Sequence, residues 1–181
     1  YCFHMDEYLG MSEEHPASFQ RYIKEELVNH VHPKAFFGIQ GNAENVEKEL
    51  ERYNNLLLKH KPSICVLGIG ENGHLAFNDP PADFETEELI HVVNLDHACR
   101  IQQVNEGHFP NFDSVPAQAI TLTIPALLSA NTVFAVVPEG RKADAVASSL
   151  YGVVTPNCPA SILRTKNNTK LYLDKNSASK I

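Results

Sequence analysis

Apolar residues follow two kinds of pattern that alternate along this chain. Short apolar runs predict buried strands, whereas apolar residues spaced three or four apart predict helices with one buried face. The predicted strands cover 1–5, 36–39, 63–69, 89–95, 119–124, 132–137 and 170–174. The predicted helices cover 17–29, 43–59, 96–105, 126–129 and 141–150, with a helical turn over 159–163. Strands that alternate with helices indicate βαβ units, so we predict a single α/β domain over 1–181 with a mostly parallel sheet flanked by helices.

The strand predicted over 63–69 runs into a glycine-rich loop that carries Asn72, His74 and Asp79. In open α/β sheets, ligands bind at the carboxyl ends of the strands, where this loop would lie. An imidazole can exchange a proton at neutral pH when a neighbouring carboxylate or amide fixes its tautomer. The alternative is a histidine that only caps a helix, and the three polar groups together make the two interpretations about equally strong. The spacing of the loop glycines formally matches a dinucleotide fingerprint, but no long helix follows, so that match is weak.

Asp6 is a second candidate because it follows the first predicted strand. A carboxylate at a strand end can act as a carbon-acid base when burial tunes its pKa. The alternative is a simple cap on the loop that follows. Glu7 would face the opposite way if the chain stays extended.

Anion binding is predicted at two further places. The segment Gly140-Arg141-Lys142-Ala143 follows a strand and starts a helix, so N–H groups and two cations would converge there, although a solvated first turn is equally common. Arg100 offers another polar contact from a predicted helix. A metal site built from His91, His97, Cys99 and His108 matches no defensible zinc spacing, so no metal ligand is predicted.

The net charge of the chain limits the classes of partner that it can bind. The 181 residues carry a formal net charge of -7, which argues against nucleic acid and acidic membranes as partners. No apolar run approaches the roughly 20 residues that span a bilayer. The four cysteines form no C-x-x-C pair, so reduced thiols and a cytoplasmic location are expected. The helices require no particular symmetry, which leaves a homo-oligomer open.

Several motifs together resemble the glucosamine-6-phosphate deaminase (isomerase) family. They are the segments Met5–Gly10, Glu14–Phe19, Leu67–Pro80, Ala119–Leu128 and Gly140–Ala143, which extend over nearly the whole chain. The resemblance implies a three-layer, Rossmann-like α/β fold. It also implies a small-molecule substrate, an amino-sugar 6-phosphate, which is isomerised from aldose to ketose with release of ammonia, and no metal or organic cofactor.

The resemblance also implies roles for individual residues. Asp6 would move a proton between C2 and C1 of the substrate, and His74 would open the pyranose ring with help from Asn72 and Asp79. Lys142 would contact the substrate phosphate, and Gly68, Gly70 and Arg100 are the other predicted substrate-binding residues.

This sequence departs from the family pattern in four respects. One is the segment Cys99–Val104 with His108, which differs from the better-known members, in which a nearby arginine binds phosphate. Members begin with a strand and a glycine-rich phosphate loop ahead of the Asp-Glu-Tyr block, so we expect a segment upstream of Tyr1 and weak or no activity from this chain alone. Asp79 stands where many members have glutamate, which is one methylene longer. The acidic stretch 83–88 stands where allosterically regulated members carry basic groups, which argues against activation by N-acetylglucosamine 6-phosphate.

Two other functions compete with deamination. A 6-phosphogluconolactonase binds a similar sugar phosphate but needs no proton shuttle, so Asp6 discriminates between the two. A non-catalytic sugar-phosphate-sensing domain would keep the phosphate site while losing catalytic groups, yet Asp6 and His74 are both present.

Overall fold

Strands and helices alternate along residues 1–181, all of which the computed structural model describes. The strands are β1 (Cys2–Phe3), β2 (Asp6–Tyr8), β3 (Phe36–Phe37), β4 (Ile64–Leu67), β5 (Ile90–Asn94), β6 (Gln118–Leu122), β7 (Thr132–Val137) and β8 (Thr169–Leu173). The helices are α1 (Phe19–Ile23), α2 (Asn29–Val31), α3 (Val46–Lys59), α4 (His97–Asn105), α5 (Ile124–Leu128) and α6 (Ala143–Tyr151). A π-helical turn covers Lys24–Val28, and 3-10 segments cover Phe112–Ser114, Gly140–Lys142 and Pro159–Thr165. The predicted α/β class is confirmed. None of the helices combines the length and the hydropathy that a membrane-spanning helix requires.

The chain divides into two compact units, each made of two stretches of sequence. The first unit comprises Tyr1–Pro62 and Leu89–Leu122, and the second comprises Ser63–Glu88 and Thr123–Ile181. In the first unit β1 pairs with β3 in parallel, and β2, β6 and β5 form an antiparallel sheet. In the second unit β4, β7 and β8 form a parallel sheet. Most of the strand pairings are therefore parallel, as predicted, while the single domain over 1–181 stays a prediction.

The core of the first unit is rich in aromatic side chains whose polar ends are satisfied. Tyr53 of α3 is fully buried and donates its hydroxyl hydrogen bond to the carbonyl of His4 at 2.6 Å. Tyr8 of β2 is also fully buried, stacks on Phe19 and donates to Gln103 Oε1 at 2.7 Å. Since a buried hydroxyl without a partner would be costly, these two bonds hold β2 and the segment before it in one arrangement.

The parallel sheet of the second unit fixes where its polar loops emerge. β4 and β7 run in register from Ile64 opposite Thr132 to Leu67 opposite Ala135. Because parallel strands end at the same edge, the loops that follow β4 and β7 leave the sheet side by side.

The first predicted strand is shorter in the structure. The strand predicted over 1–5 ends at Phe3, and Asp6 begins β2 instead of following the first strand. The chain changes partners there, because β1 pairs with β3 whereas β2 pairs with β6.

The single helix predicted over 17–29 is also wrong, since a π-helical turn separates α1 from α2. A π turn adds a residue to the helical repeat, which rotates the following side chains. Leu27 is accordingly 40% exposed instead of continuing the apolar face of Phe19 and Ile23.

Candidate active site

Three polar side chains of the second unit meet in the loop after β4. His74 Nδ1 lies 2.8 Å from Asn72 Oδ1 and 3.2 Å from Asp79 Oδ1. Asn72 Nδ2 in turn donates to Asp79 Oδ1 at 3.0 Å. The structure therefore brings together the three residues that the sequence placed in one catalytic group.

A tight turn brings Asp79 close to Asn72 and His74. Asn78 is buried, and both its backbone N–H and its side-chain amide donate to the carbonyl of Leu75, at 3.0 and 2.9 Å. Ala76, inside this turn, has a positive φ of 51°. Because the turn folds the chain back on itself, the short side chain of Asp79 reaches His74.

The hydrogen bonds assign the tautomer of His74. The Asn72 amide is oriented by its two partners, since its oxygen accepts from His74 N at 3.0 Å and its nitrogen donates to Asp79. Both oxygens near His74 Nδ1 are therefore acceptors, so Nδ1 carries the proton. Nε2 of the neutral ring is then the atom that can accept and return a proton.

The two glycines predicted to bind substrate have different positions in this loop. Gly68 is exposed, and a Cβ on it would be 3.8 Å from the carbonyl oxygen of Val136, an ordinary contact. Gly70 is buried, and its N–H donates to the carbonyl of His74 at 3.0 Å. A Cβ at Gly70 would lie 2.2 Å from His74 Cε1, so only glycine lets the imidazole pack against the backbone here.

Replacing Gly70 by alanine should therefore displace the His74 ring from Asn72 and Asp79. We expect the catalytic rate to fall by at least about tenfold, because small errors in the position of a catalytic group are costly. We also expect a loss of stability of about 1–3 kcal/mol from overpacking. The measurements are steady-state kinetics and urea unfolding. The control is Gly68→Ala, because a Cβ there makes only an ordinary contact and should change the stability little. Equal losses of stability in the two variants would contradict the steric explanation.

Lys142 lies on the loop after the neighbouring strand. It is 8% exposed and sits in the 3-10 segment after β7, which replaces the first turn of the predicted helix. Arg141 precedes it, with Nη1 3.5 Å from Glu71 Oε1 and Nε 2.7 Å from Glu139 Oε2. Since Glu71 belongs to the glycine-rich loop, this ion pair links the loops that follow β4 and β7.

Asp6 belongs to the first unit, where it is half-buried at the start of β2 opposite Thr121. The pKa of Asp6 is raised to about 7, mainly because the carboxyl group is buried and to a smaller extent because of the negative charge of Glu7. A carboxylate whose pKa lies near neutrality is suited to general-base catalysis.

Arg100 also belongs to the first unit, and its contacts are structural. Its Nη2 donates to the carbonyls of Phe112 and Val115, at 3.0 and 2.8 Å. Its guanidinium carbon lies 3.9 Å from the centroid of the Phe112 ring. The structure thus places the guanidinium of Arg100 against the segment 112–115, and the phosphate-binding role of Arg100 stays a prediction.

The sequence did not predict that several hydrogen bonds hold the carboxylate of Glu7. Glu7 is 1% exposed, and its carboxylate accepts hydrogen bonds from backbone and side-chain donors around the start of α1. The available signal was Ser18, a typical N-cap residue that follows at the start of the predicted helix.

A tautomer-fixed histidine beside a carboxylate, on loops at the carboxyl edge of a parallel sheet, is typical of α/β enzymes that transfer protons on a small substrate. Comparisons with known proteins agree with this class. Residues 1–172 match the family model described as glucosamine-6-phosphate isomerases/6-phosphogluconolactonase. The chain therefore belongs to this family.

Individual relatives cover nearly all of the chain. The glucosamine-6-phosphate deaminase of Streptococcus suis is 38% identical over 177 residues, which are 98% of this chain and 74% of that protein. The deaminase of Staphylococcus epidermidis is 37% identical over 185 residues, covering 97% and 72% of the two chains.

Two solved structures show how far the fold is shared. A monomeric glucosamine-6-phosphate deaminase superposes with a TM-score of 0.91 at 34% identity, covering 99% of this chain and 74% of that one. The 6-phosphogluconolactonase of Trypanosoma brucei superposes with a TM-score of 0.76 at 17% identity, over 99% and 73% of the two chains. At that identity the second likeness shows the fold alone.

Proposed function

We propose that this protein converts glucosamine 6-phosphate and water to fructose 6-phosphate and ammonia. The observation that carries the proposal is the Asn72–His74–Asp79 network. Asn72 Oδ1 and Asp79 Oδ1 both accept at His74 Nδ1, so Nε2 is the atom that can exchange a proton with the substrate. The relatives at 34–38% identity that bear the name glucosamine-6-phosphate deaminase support the same reaction.

In this reaction each group has a distinct task. His74 moves the proton of the O1 hydroxyl to the ring oxygen, which opens the pyranose. Asn72 and Asp79 hold the imidazole and stabilise its protonated form. Asp6 removes the proton from C2 and returns it to C1, while O1 gains a proton and the amino nitrogen loses one, which converts the open-chain amino aldehyde to an imine at C2 with a hydroxyl group on C1. Water then adds to that carbon, ammonia leaves, and the ketose remains.

Phosphate binding is assigned to Lys142. Lys142 belongs to the loop after β7, beside the glycine-rich segment, and Gly68 is an exposed position on that segment. A lysine is suited to the phosphate dianion because its charge is compact and carries three donors.

The defining experiment incubates the purified chain with glucosamine 6-phosphate in D₂O and measures ammonia, fructose 6-phosphate and deuterium at C1. We expect equal amounts of both products and partial labelling at C1, because a base that moves a proton from C2 to C1 exchanges some of it with solvent. The rate also tests whether this chain is weakly active alone.

A parallel assay with 6-phosphogluconolactone covers the first alternative. Lactone hydrolysis without ammonia release would replace the proposed function by the lactonase. Calorimetric binding of glucosamine 6-phosphate by an intact chain, without any turnover, would favour a sugar-phosphate-sensing domain.

The compartment and assembly are part of the same proposal. We assign the protein to the cytoplasm, because all four cysteines are free thiols and none is paired in a disulfide. Fractionation of the cells checks the location, and light scattering of the purified chain decides between a monomer and a homo-oligomer.

A further inference from the structure

Glu7 is a buried anion next to the proposed base. Four donors surround its carboxylate: Ser18 Oγ at 2.7 Å, Tyr8 N at 2.9 Å, Gln20 N at 3.0 Å and Phe19 N at 3.3 Å. Hydrogen bonds donated to a carboxylate favour its charged form and offset part of the cost of burying it. Burial raises the pKa of Glu7, and the hydrogen bonds from these four donors act in the opposite direction, so the donors favour the charged carboxylate.

The structure gives the Glu7 carboxylate no cationic partner. His4 Nε2 lies 4.0 Å from Glu7 Oε2, but burial lowers the pKa of His4 to about 3, so its ring is neutral at physiological pH. No lysine or arginine forms an ion pair with Glu7. The negative charge is therefore balanced by hydrogen bonds alone.

Asp6 lies next to this charge in β2, where the two side chains leave opposite faces of the extended strand. On β2 its titratable neighbours are Glu7 and Tyr8. Across the sheet it faces Thr121 of β6, which carries no charge, and His91 of β5 stands opposite Thr121 in the same row. A like charge nearby disfavours the ionised form of a carboxyl group and so makes its carboxylate a stronger base.

We propose that Glu7 is a positioning residue for Asp6, which fixes β2 to the start of α1 and keeps a second negative charge beside the base. This inference rests on the proposed role of Asp6 in catalysis. Asp6 touches the substrate, whereas Glu7 acts only through Asp6.

A purely structural role is the competing explanation, and the chain offers a matched control for it. Glu49 is 3% exposed in the same unit and accepts from Gln40 N at 2.7 Å and from Arg52 Nε and Nη2, both at 2.6 Å. Like Glu7 it is a deeply buried, hydrogen-bonded carboxylate, but its charge is paired with Arg52 and it is not next to Asp6. Loss of its charge should affect folding without affecting Asp6.

The test is a carboxyl carbon NMR titration of Asp6 in the wild-type chain, Glu7→Gln and Glu49→Gln. We expect Asp6 to titrate near pH 7 in the wild type and in Glu49→Gln, and at least about half a unit lower in Glu7→Gln. Ser18→Ala removes one donor and so disfavours the charged form of Glu7. It should also lower the Asp6 midpoint, but by less than Glu7→Gln does. An unchanged Asp6 midpoint in Glu7→Gln overturns the proposal.

The titration needs no turnover, so it separates this inference from the proposed function. If the intact wild-type protein releases no ammonia while the midpoints shift as expected, the proposed function fails and the effect of Glu7 on Asp6 stands. If the chain is active and the acidic limb of kcat/KM does not move in Glu7→Gln, the inference fails and the function stands. If Glu7→Gln does not fold, Ser18→Ala decides alone, and an unchanged midpoint there is evidence against the proposal.

Discussion

Asp6→Asn should abolish ammonia release, with a fall in kcat of at least about 10³-fold, because an amide cannot take the proton from C2. In the wild type, kcat/KM should rise with pH through about 7, since Asp6 acts only after losing its proton and its pKa is raised to about 7. The variant should lose that rise. Stopped assays of ammonia over pH 5 to 9 measure both effects, and retained turnover would point to the lactonase or another chemistry.

The same substitution should increase the stability of the fold at alkaline pH. The pKa of Asp6 is raised in the folded state, so folding favours its protonated form and the wild type loses stability as pH rises from about 4 to 7. Asparagine removes this cost, and we expect a gain on the order of 1–4 kcal/mol at pH 8. Urea unfolding at pH 5 and pH 8 checks the sign. A variant that is inactive and less stable at pH 8 would have lost its structure instead of its base.

His74→Gln should lower kcat by about 10²- to 10⁴-fold, the usual contribution of a general acid–base group. Glutamine keeps a polar side chain in the loop but has no atom that can accept and return the ring-opening proton at neutral pH. Affinity for an open-chain amino-polyol 6-phosphate should change little, because that compound has no ring to open.

Steady-state kinetics and calorimetry measure the two parts of this prediction. The matched control is His30→Gln, since His30 is exposed on α2 and should leave kcat unchanged. A fall in kcat below about threefold in His74→Gln would remove His74 from the proposed mechanism. A large loss of affinity for the open-chain compound would instead assign His74 to substrate binding.

The association of Asn72, His74 and Asp79 could be predicted because all three lie within eight positions of one loop. Local glycines and a short turn are enough to bring such residues together. The alternation of strands and helices likewise predicted the α/β class, since it depends on the periodicity of apolar residues along the chain.

The position of Arg100 could not be predicted in the same way. Its side chain points to the carbonyls of Phe112 and Val115, and that contact depends on how the loop after α4 packs. A guanidinium can bind a phosphate or a backbone carbonyl, and nothing in the spacing of the sequence distinguishes the two.

By itself the sequence determined the class of fold, the loop that carries His74, and the choice of Asp6 as a candidate base. The tertiary structure decided that Asp6 starts an antiparallel strand opposite Thr121 and that Glu7 is held by donors from the start of α1. The physical reason is the separation along the chain over which each effect acts. Periodicity and turn chemistry act between near neighbours in the chain, whereas strand pairing, burial and the pKa of a carboxyl group depend on residues that are distant in sequence and close in space.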